Sequence, residues 1–236
     1  MEDLISRHRP KTLDEVWGND DIKRKWRARL ARRDPPHSII LVGDSGLGKT
    51  TLARIFCDEI IHCLGLTKKS FVGNPYEEYD GSSEERYNAL IKFITAGRSM
   101  LNPVKICYVD EAHHMTLKQQ IPFLKLIEDR PDLYLIFSTT NIEKIIEPLK
   151  KRRSPIYTLF RPSMSESKVG VGGVAQKEEL VFLPDALECL ITLSGFIPGD
   201  CVGNLGEFFG YEEPITKEMV RNALLSKVGS GHMPKP

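Results

Sequence analysis

The chain has 236 residues, enough for one large domain or two smaller ones, and 41% of them are hydrophobic, which excludes a disordered polymer. The formal net charge is only +1, so no global field draws it to nucleic acid. The five cysteines, Cys57, Cys63, Cys107, Cys189 and Cys201, are odd in number and form no CxxC pair, which supports neither a zinc site nor a disulfide framework.

In chain order, the first marked stretch is "KRKWRARLARR" (23–33), with seven cations and no acid. It is a local basic patch whose bland reading is a solvated face. "SIILV" (38–42) ends at Gly43 and predicts a buried strand. After a glycine-rich turn, "TTLARIFCDEII" sets Leu52, Ile55, Phe56 and Ile60 on one helical face. "KICYVDE" (105–111), "LYLIFSTT" (133–140) and "IYTLF" (156–160) predict further buried strands. Between them, "SSEERYNALIKFITAG" and "QQIPFLKLIEDR" carry helical periodicity. Strands alternating with helices predict an α/β fold, a parallel sheet covered on both faces. Just before the last strand, Lys150 to Arg153 place four cations in a row.

After Pro162 no strong strand follows. "PDALECLITLSG" predicts a helix with Pro184 near its start and Gly195 at its end. "TKEMVRNALLSKV" predicts one capped by Thr216. "SKVGVGGVAQKE" carries three glycines, each costing a helix about 1 kcal/mol, and is expected to be a loop or weak helix. The tail "GSGHMPKP" reads as a cloning scar or a flexible end. The expected boundaries are residues 1–161 for the α/β domain, 162–228 for a small all-α domain and 229–236 for the tail. No signal peptide and no membrane-length apolar run is evident, so an intracellular, cytoplasmic location is expected, in a host cell if the chain is virus-encoded.

"GDSGLGKTT" (43–51) matches GxxxxGK[ST], follows a predicted strand and opens a predicted helix, which is the context the motif requires. Its glycines, Gly43, Gly46 and Gly48, let the backbone N–H groups curl around phosphates. The helix start adds a favourable dipole. Asp44, Ser45, Leu47 and Thr51 complete the cradle. Lys49 can reach the β- and γ-phosphates, and the Thr50 hydroxyl is a ligand for Mg²⁺. ATP and Mg²⁺ are therefore the expected cofactors. In "ICYVDEAHHM", Asp110 falls at the carboxyl end of a buried strand, where it can hold the Mg²⁺ shell. Glu111 beside it can polarise the attacking water. His113 and His114 are adjacent and are read as polar surface residues, not as metal ligands.

At these residues the chain resembles an AAA+ P-loop ATPase, and more narrowly a small subunit of the clamp loaders: replication factor C, the bacteriophage loaders and the bacterial gamma/tau type. "RHRPKTLDEVWGND" (7–20) resembles that branch's opening box, "DEAHHM" its Walker B motif, and "FSTTNIEKIIEPLKKRRS" its sensor-1 strand running into "IIEP". The resemblance covers residues 7 to about 228 and implies a five-stranded parallel sheet followed by a helical lid. It implies an adenine pocket near Arg9, Pro10, Val16, Trp17 and Gly18. It implies a sensor-1 role for Thr140, with Asn141 next to it. It also implies that Arg152, or Arg153 if the alignment slips by one, reaches the γ-phosphate bound by a neighbouring subunit. That offers an answer for the run of four cations, whose bland reading is a basic loop. Two departures stand out. The family's sensor-2 arginine aligns with Val202, and no collar domain follows the lid, which points to a truncated chain or a different assembly.

What the resemblance implies is ATP hydrolysis within a ring of clamp-loader subunits that handles a sliding clamp on primer–template DNA, with no membrane partner. Arg86, Lys92 and Arg98 are the candidates for a DNA-phosphate surface, against the bland reading of a solvated helix face. The alternatives are a non-hydrolysing assembly subunit, supported by Val202, and another AAA+ DNA-remodelling motor such as a branch-migration motor. "DEAH" also occurs in helicases built of paired RecA-like domains, but this chain has material for only one.

Overall fold

A computed structural model of the chain describes residues 3–96, 103–151 and 154–229. In chain order the first elements are helices α1 (Leu4–Arg7) and α2 (Asp20–Ala31), strand β1 (Ser38–Val42), helix α3 (Lys49–Cys63) and strand β2 (Glu77–Asp80). Helix α4 (Glu84–Thr95), strand β3 (Lys105–Asp110), helix α5 (Leu117–Asp129), strand β4 (Leu133–Thr139), helix α6 (Glu147–Lys151) and strand β5 (Ile156–Thr158) follow. Helices α7 (Met164–Lys177), α8 (Pro184–Leu193), α9 (Pro198–Leu205) and α10 (Lys217–Gly229) complete the chain. The residues form two compact units. A sheet unit holds Asp20–Ser45 and Lys49–Leu159. A helical unit holds the described residues up to Asn19, Gly46–Gly48 and the described residues from Phe160 onward.

All pairings in the sheet unit are parallel, in the order β2-β3-β4-β1-β5. Four of the five strands were expected from sequence: the inner three, because a strand covered on both faces must be apolar on both, and β5, which was expected to be buried but lies at the sheet edge, with Tyr157 buried and Ile156 exposed. Every residue of β4 is buried, as are Ile39, Ile40 and Leu41 of β1. The order puts β1 between β4 and β5, with Ile40 opposite both Phe137 and Ile156. Strand β2, "EEYD", was not among the strands read from the sequence. It is a polar edge strand with one paired side, and its register on β3 sets Asp80 opposite Asp110. It is also tied to the helix that starts at Lys49: the Arg54 guanidinium donates two 2.7 Å hydrogen bonds to the Glu78 carboxylate.

The basic stretch 23–33 falls largely on α2. Trp26 on its inner face is fully buried, stacks on Phe56 of α3 at 3.8 Å, and donates its indole N–H to Glu59. Lys23 pairs with Asp20, and Arg24 and Lys25 pair with Asp21. Three of the seven cations are thus answered on the same helix, in pairs that solvent screens. On the other side of the sheet, buried Gln120 of α5 joins two segments. Its amide N–H₂ donates to the carbonyls of Met115 (3.0 Å) and Lys144 (2.9 Å), and its Oε1 accepts from the Ile146 N–H (2.9 Å).

In the helical unit, Val171, Ala186, Leu190, Ile191, Cys201, Leu205, Phe208 and Val220 form the core. Helix α8 ends as expected, with Gly195 at φ +61°, and the Thr216 hydroxyl accepts from the Met219 N–H at the start of α10. Phe182 and Ile215 form one parallel bridge between the segments leading into these helices.

The stretch "SKVGVGGVAQKE" departs from expectation. It lies in a regular helix, α7. A capping box starts it: the Ser163 hydroxyl accepts from the Glu166 N–H (3.3 Å), and the Glu166 carboxylate accepts from the Ser163 N–H (2.7 Å). Burial of Val171, Val174 and Ala175 then outweighs the glycine cost. Gly170 is there for close approach. A Cβ on it would stand 2.1 Å from the Trp17 ring, whereas one on exposed Gly173 would meet nothing within 4 Å. Gly170→Ala is therefore expected to lower stability by about 1–3 kcal/mol despite better helix propensity. Gly173→Ala should raise it by up to about 1 kcal/mol. Thermal unfolding of the two variants checks the opposite signs.

Candidate functional site

Strand β1 ends at Val42, and the loop that follows leads into α3, whose first residue is Lys49. Gly46 and Gly48 have φ of +77° and +91°, a region that side chains disfavour. At Gly46 a Cβ would also lie 2.5 Å from the Ile197 side chain, and its carbonyl accepts from the Gly199 N–H at 3.3 Å. Lys49 is buried, and its ammonium donates to the carbonyls of Gly43 (2.8 Å) and Asp44 (3.0 Å). Burial holds its pKa below the usual lysine value, while the charges of Glu111, Asp110 and Asp44 act the other way.

Beside it, the Thr50 hydroxyl donates to Asp110 Oδ2 at 3.1 Å. Asp110 is the last residue of β3, and its other oxygen accepts from the Ser138 hydroxyl and from the Glu111 N–H (3.0 Å). The Tyr108 hydroxyl stands 3.0 Å from Ser138 Oγ and 3.3 Å from Thr50 Oγ1. Burial pushes its pKa well up, so it stays a neutral donor. Glu111 takes a left-handed backbone, φ 46°, which turns the chain sharply out of the strand into a short 3-10 turn at 112–114. A non-glycine residue in that region stores strain, and such residues gather at functional sites. Its Oε2 lies 3.1 Å from His113 Nδ1, which also lies 3.3 Å from Thr139 Oγ1. His113 is thus tucked in, not a polar surface residue as expected, and burial keeps its pKa below the ordinary histidine value.

Lys49, Thr50, Asp110 and Glu111 therefore come together at the carboxyl ends of β1 and β3, next to a cavity of about 210 Å³. Glu78, Asp80, Arg86, Tyr108, Asp110 and Glu111 are among its lining residues. Three contributors were missed in the sequence: Tyr108, Ser138 and Gly81. Gly81 donates its N–H to the Asp110 carbonyl (2.9 Å), and a Cβ there would stand 2.8 Å from the Glu111 carbonyl. The hydroxyls of Tyr108 and Ser138 lie inside apolar strands, and only a known strand order would have signalled that they meet.

The other expected residues are placed as follows. Asp44 and Ser45 precede α3, Thr51 lies in its first turn and Leu47 is buried. Thr140 is exposed, one residue past the end of β4, whereas Thr139 is buried within the strand. Asn141 accepts from the Glu143 N–H and so caps the next turn. Arg9, Pro10, Val16, Trp17 and Gly18 belong to the helical unit, with Gly18 at φ +60° beside the Glu166 carboxylate. Val202 is a core residue on α9. Arg86 borders the cavity and Lys92 is exposed on α4. Arg98, Arg152 and Arg153 lie outside the described residues.

The donor set fits Mg·ATP. A hydroxyl and a carboxylate already within hydrogen-bond distance suit a hard cation that prefers oxygen ligands. A buried ammonium at a helix start suits a phosphate. Bound there, Mg²⁺ would neutralise developing phosphate charge.

A family model, ATPase family associated with various cellular activities (AAA), matches residues 39–161, more than half of the chain. The chain belongs to the AAA ATPase family. Relatives of this AAA protein include replication factor C small subunit of Archaeoglobus fulgidus, 27% identical over 204 residues, which cover 83% of this chain and 60% of that protein. DNA polymerase III subunit gamma/tau of Mycoplasma pneumoniae is 26% identical over 231 residues, 90% of this chain and 33% of that protein. The chain thus spans from a third to three fifths of the length of these relatives. Among solved structures, the Thermotoga maritima RuvB Holliday junction branch migration motor superposes with a TM-score of 0.72 at 22% identity, over 92% of this chain and 72% of that one. That likeness supports the fold. The resemblance to clamp-loader subunits drawn from the motifs agrees with the named relatives. Among the described residues no helix is long and apolar enough to cross a membrane.

Proposed function

We propose that the chain binds and hydrolyses ATP as a subunit of a sliding-clamp loader, working in an oligomeric ring on primer–template DNA. The observation that carries this reading is the convergence of Lys49, Thr50, Asp110 and Glu111 on one strand-end cluster in a chain whose relatives include replication factor C small subunits. Lys49 holds the β- and γ-phosphates, releasing the Gly43 and Asp44 carbonyls it bonds now. Loop residues 43–48 cradle the phosphates, with Thr51 behind them. Thr50 and Asp110 hold the Mg²⁺ shell, and bonds from the Ser138 hydroxyl and the Glu111 N–H fix the Asp110 carboxylate. Glu111 accepts a proton from the attacking water. Thr140 orients the water or γ-phosphate from the end of β4. Arg9, Pro10, Val16, Trp17 and Gly18 border the base. Arg152, with Arg153 as the neighbour one residue on, reaches the γ-phosphate of the adjacent subunit. DNA contact is mainly to phosphates and so weakens with salt.

The discriminating experiment is the ATPase rate with and without primed DNA and sliding clamp. Stimulation by both is expected. Stimulation by four-way junctions alone would favour a branch-migration motor, a reading supported by a 26% identical RuvB subunit of Acholeplasma laidlawii. No hydrolysis under any condition would favour the non-hydrolysing assembly subunit.

A second expected outcome concerns the finger. Arg152→Ala should leave ATP binding by its own subunit nearly intact and cut turnover by about 10³-fold or more in the assembled ring only. Mixing it with Lys49→Ala subunits should restore part of the activity wherever a good finger meets a good site. A mixture that assembles but recovers nothing would return the four cations to a solvated loop.

A further inference from the structure

Glu111, His113 and His114 present one carboxylate oxygen and two imidazole nitrogens within 4.8 Å of one another. Three features of the turn produce this. The left-handed backbone of Glu111 swings the chain out of β3. The 3-10 turn at 112–114 tightens the path. The two imidazole rings then lie with centroids 4.2 Å apart, tilted by 35°. Neighbouring histidines are not expected to share a face, but in this tight turn the two rings lie side by side. Glu111 Oε2 and His113 Nδ1 are already 3.1 Å apart, close to the spacing of two donors on one tetrahedral ion with ligand distances of about 2.1 Å.

We propose that Glu111, His113 and His114 form a site for a transition-metal dication of the Zn²⁺ class, whose occupancy ties up the Glu111 carboxylate. The donor set selects the ion. Mg²⁺ takes oxygen ligands in near-ideal octahedra, whereas imidazole suits Zn²⁺, Ni²⁺ and Cu²⁺. The site is therefore separate in chemistry from the Thr50–Asp110 pair, although Glu111 follows Asp110 directly. Three protein donors leave a position for water, and a carboxylate bound to the ion no longer accepts a proton. His113 Nδ1 faces both Glu111 Oε2 and Thr139 Oγ1, and coordination through that nitrogen would replace the Thr139 contact. His114 is exposed, so an ion can enter from solvent. That the bound ion silences turnover rests on the proposed role of Glu111; that it binds does not.

Calorimetric titration of the nucleotide-free chain with Zn²⁺ tests the binding without any need for turnover. Zn²⁺ should bind the unaltered protein, and His114→Gln should weaken it by about 10-fold or more, since a chelating ligand is lost. The titration is repeated on a Cys63→Ser, Cys189→Ser double variant, which removes the two cysteines that are not fully buried and should retain the tight site. His113→Gln, read by binding alone, provides a second route if His114→Gln folds poorly. Equal Zn²⁺ affinity in the unaltered protein and both histidine variants overturns the proposal, as does loss of the site in the cysteine variant. In the ATPase assay with excess Mg²⁺, the ratio of rates with and without Zn²⁺ should fall in the unaltered protein and stay near one in His114→Gln. Equal ratios in the two proteins, with tight binding present only in the first, overturn the claim that the ion ties up Glu111.

Discussion

Lys49→Ala is expected to lower ATP affinity by two orders of magnitude or more. The Nζ atom now holds two loop carbonyls, at 2.8 and 3.0 Å, and is partly desolvated between them. A triphosphate in the loop would take over those hydrogen bonds as charge-assisted ones, each worth about 1.5–3 kcal/mol. Losing two of them costs about 3–6 kcal/mol, more than ~100-fold in Kd. A second effect runs the same way. Asp110, Glu111 and Asp44 all interact with the Lys49 charge, and without it they repel the phosphates. The fold itself should tolerate the change, because removing a desolvated cation offsets the two carbonyls left without their donor. Calorimetry with ATP, alongside thermal unfolding of the same variant, reads both quantities. Unchanged affinity in a folded Lys49→Ala protein would sink the assignment of the phosphate site.

Glu111→Gln separates binding from chemistry. The amide keeps the size of the carboxylate, and its oxygen can still face His113 Nδ1, so the strained turn at φ 46° has no new reason to move. Turnover should fall by about 10²–10⁴-fold, the usual contribution of a positioned base. ATP affinity should hold or rise, because one negative charge near the phosphates has gone. Steady-state phosphate release measures the first, and nucleotide titration the second. A variant that hydrolyses ATP at the unaltered rate would remove Glu111 from the mechanism. A variant that no longer binds ATP would recast it as a structural residue of the turn.

The glycine-rich turn before α3, the inner strands and the Asp110–Glu111 pair at the end of β3 were legible in the sequence because each is a local signal. Apolar runs mark strands buried on both faces, and the glycine spacing marks a backbone that must curl before a helix. The resemblance to clamp-loader subunits was likewise carried by contiguous boxes such as "RHRPKTLDEV", and it agrees with the named relatives. Strand β2 was not, since a polar edge strand has no hydrophobic period to read and is defined only by pairing with β3. Helix α7 was misjudged because helix propensity counts the cost of Gly170 but not the Trp17 ring that lies against it. The neighbours of the Asp110 carboxylate depended on strand order. Ser138 and Tyr108 are thirty positions apart, and meet because β4 lies beside β3 in parallel register. The approach of His114 to Glu111 likewise arises from one left-handed residue and the 3-10 turn after it, which spacing alone does not encode. Local sequence set the glycine-rich turn, Lys49 and the Asp110–Glu111 pair; the strand order and the turn after β3 decided which side chains surround them.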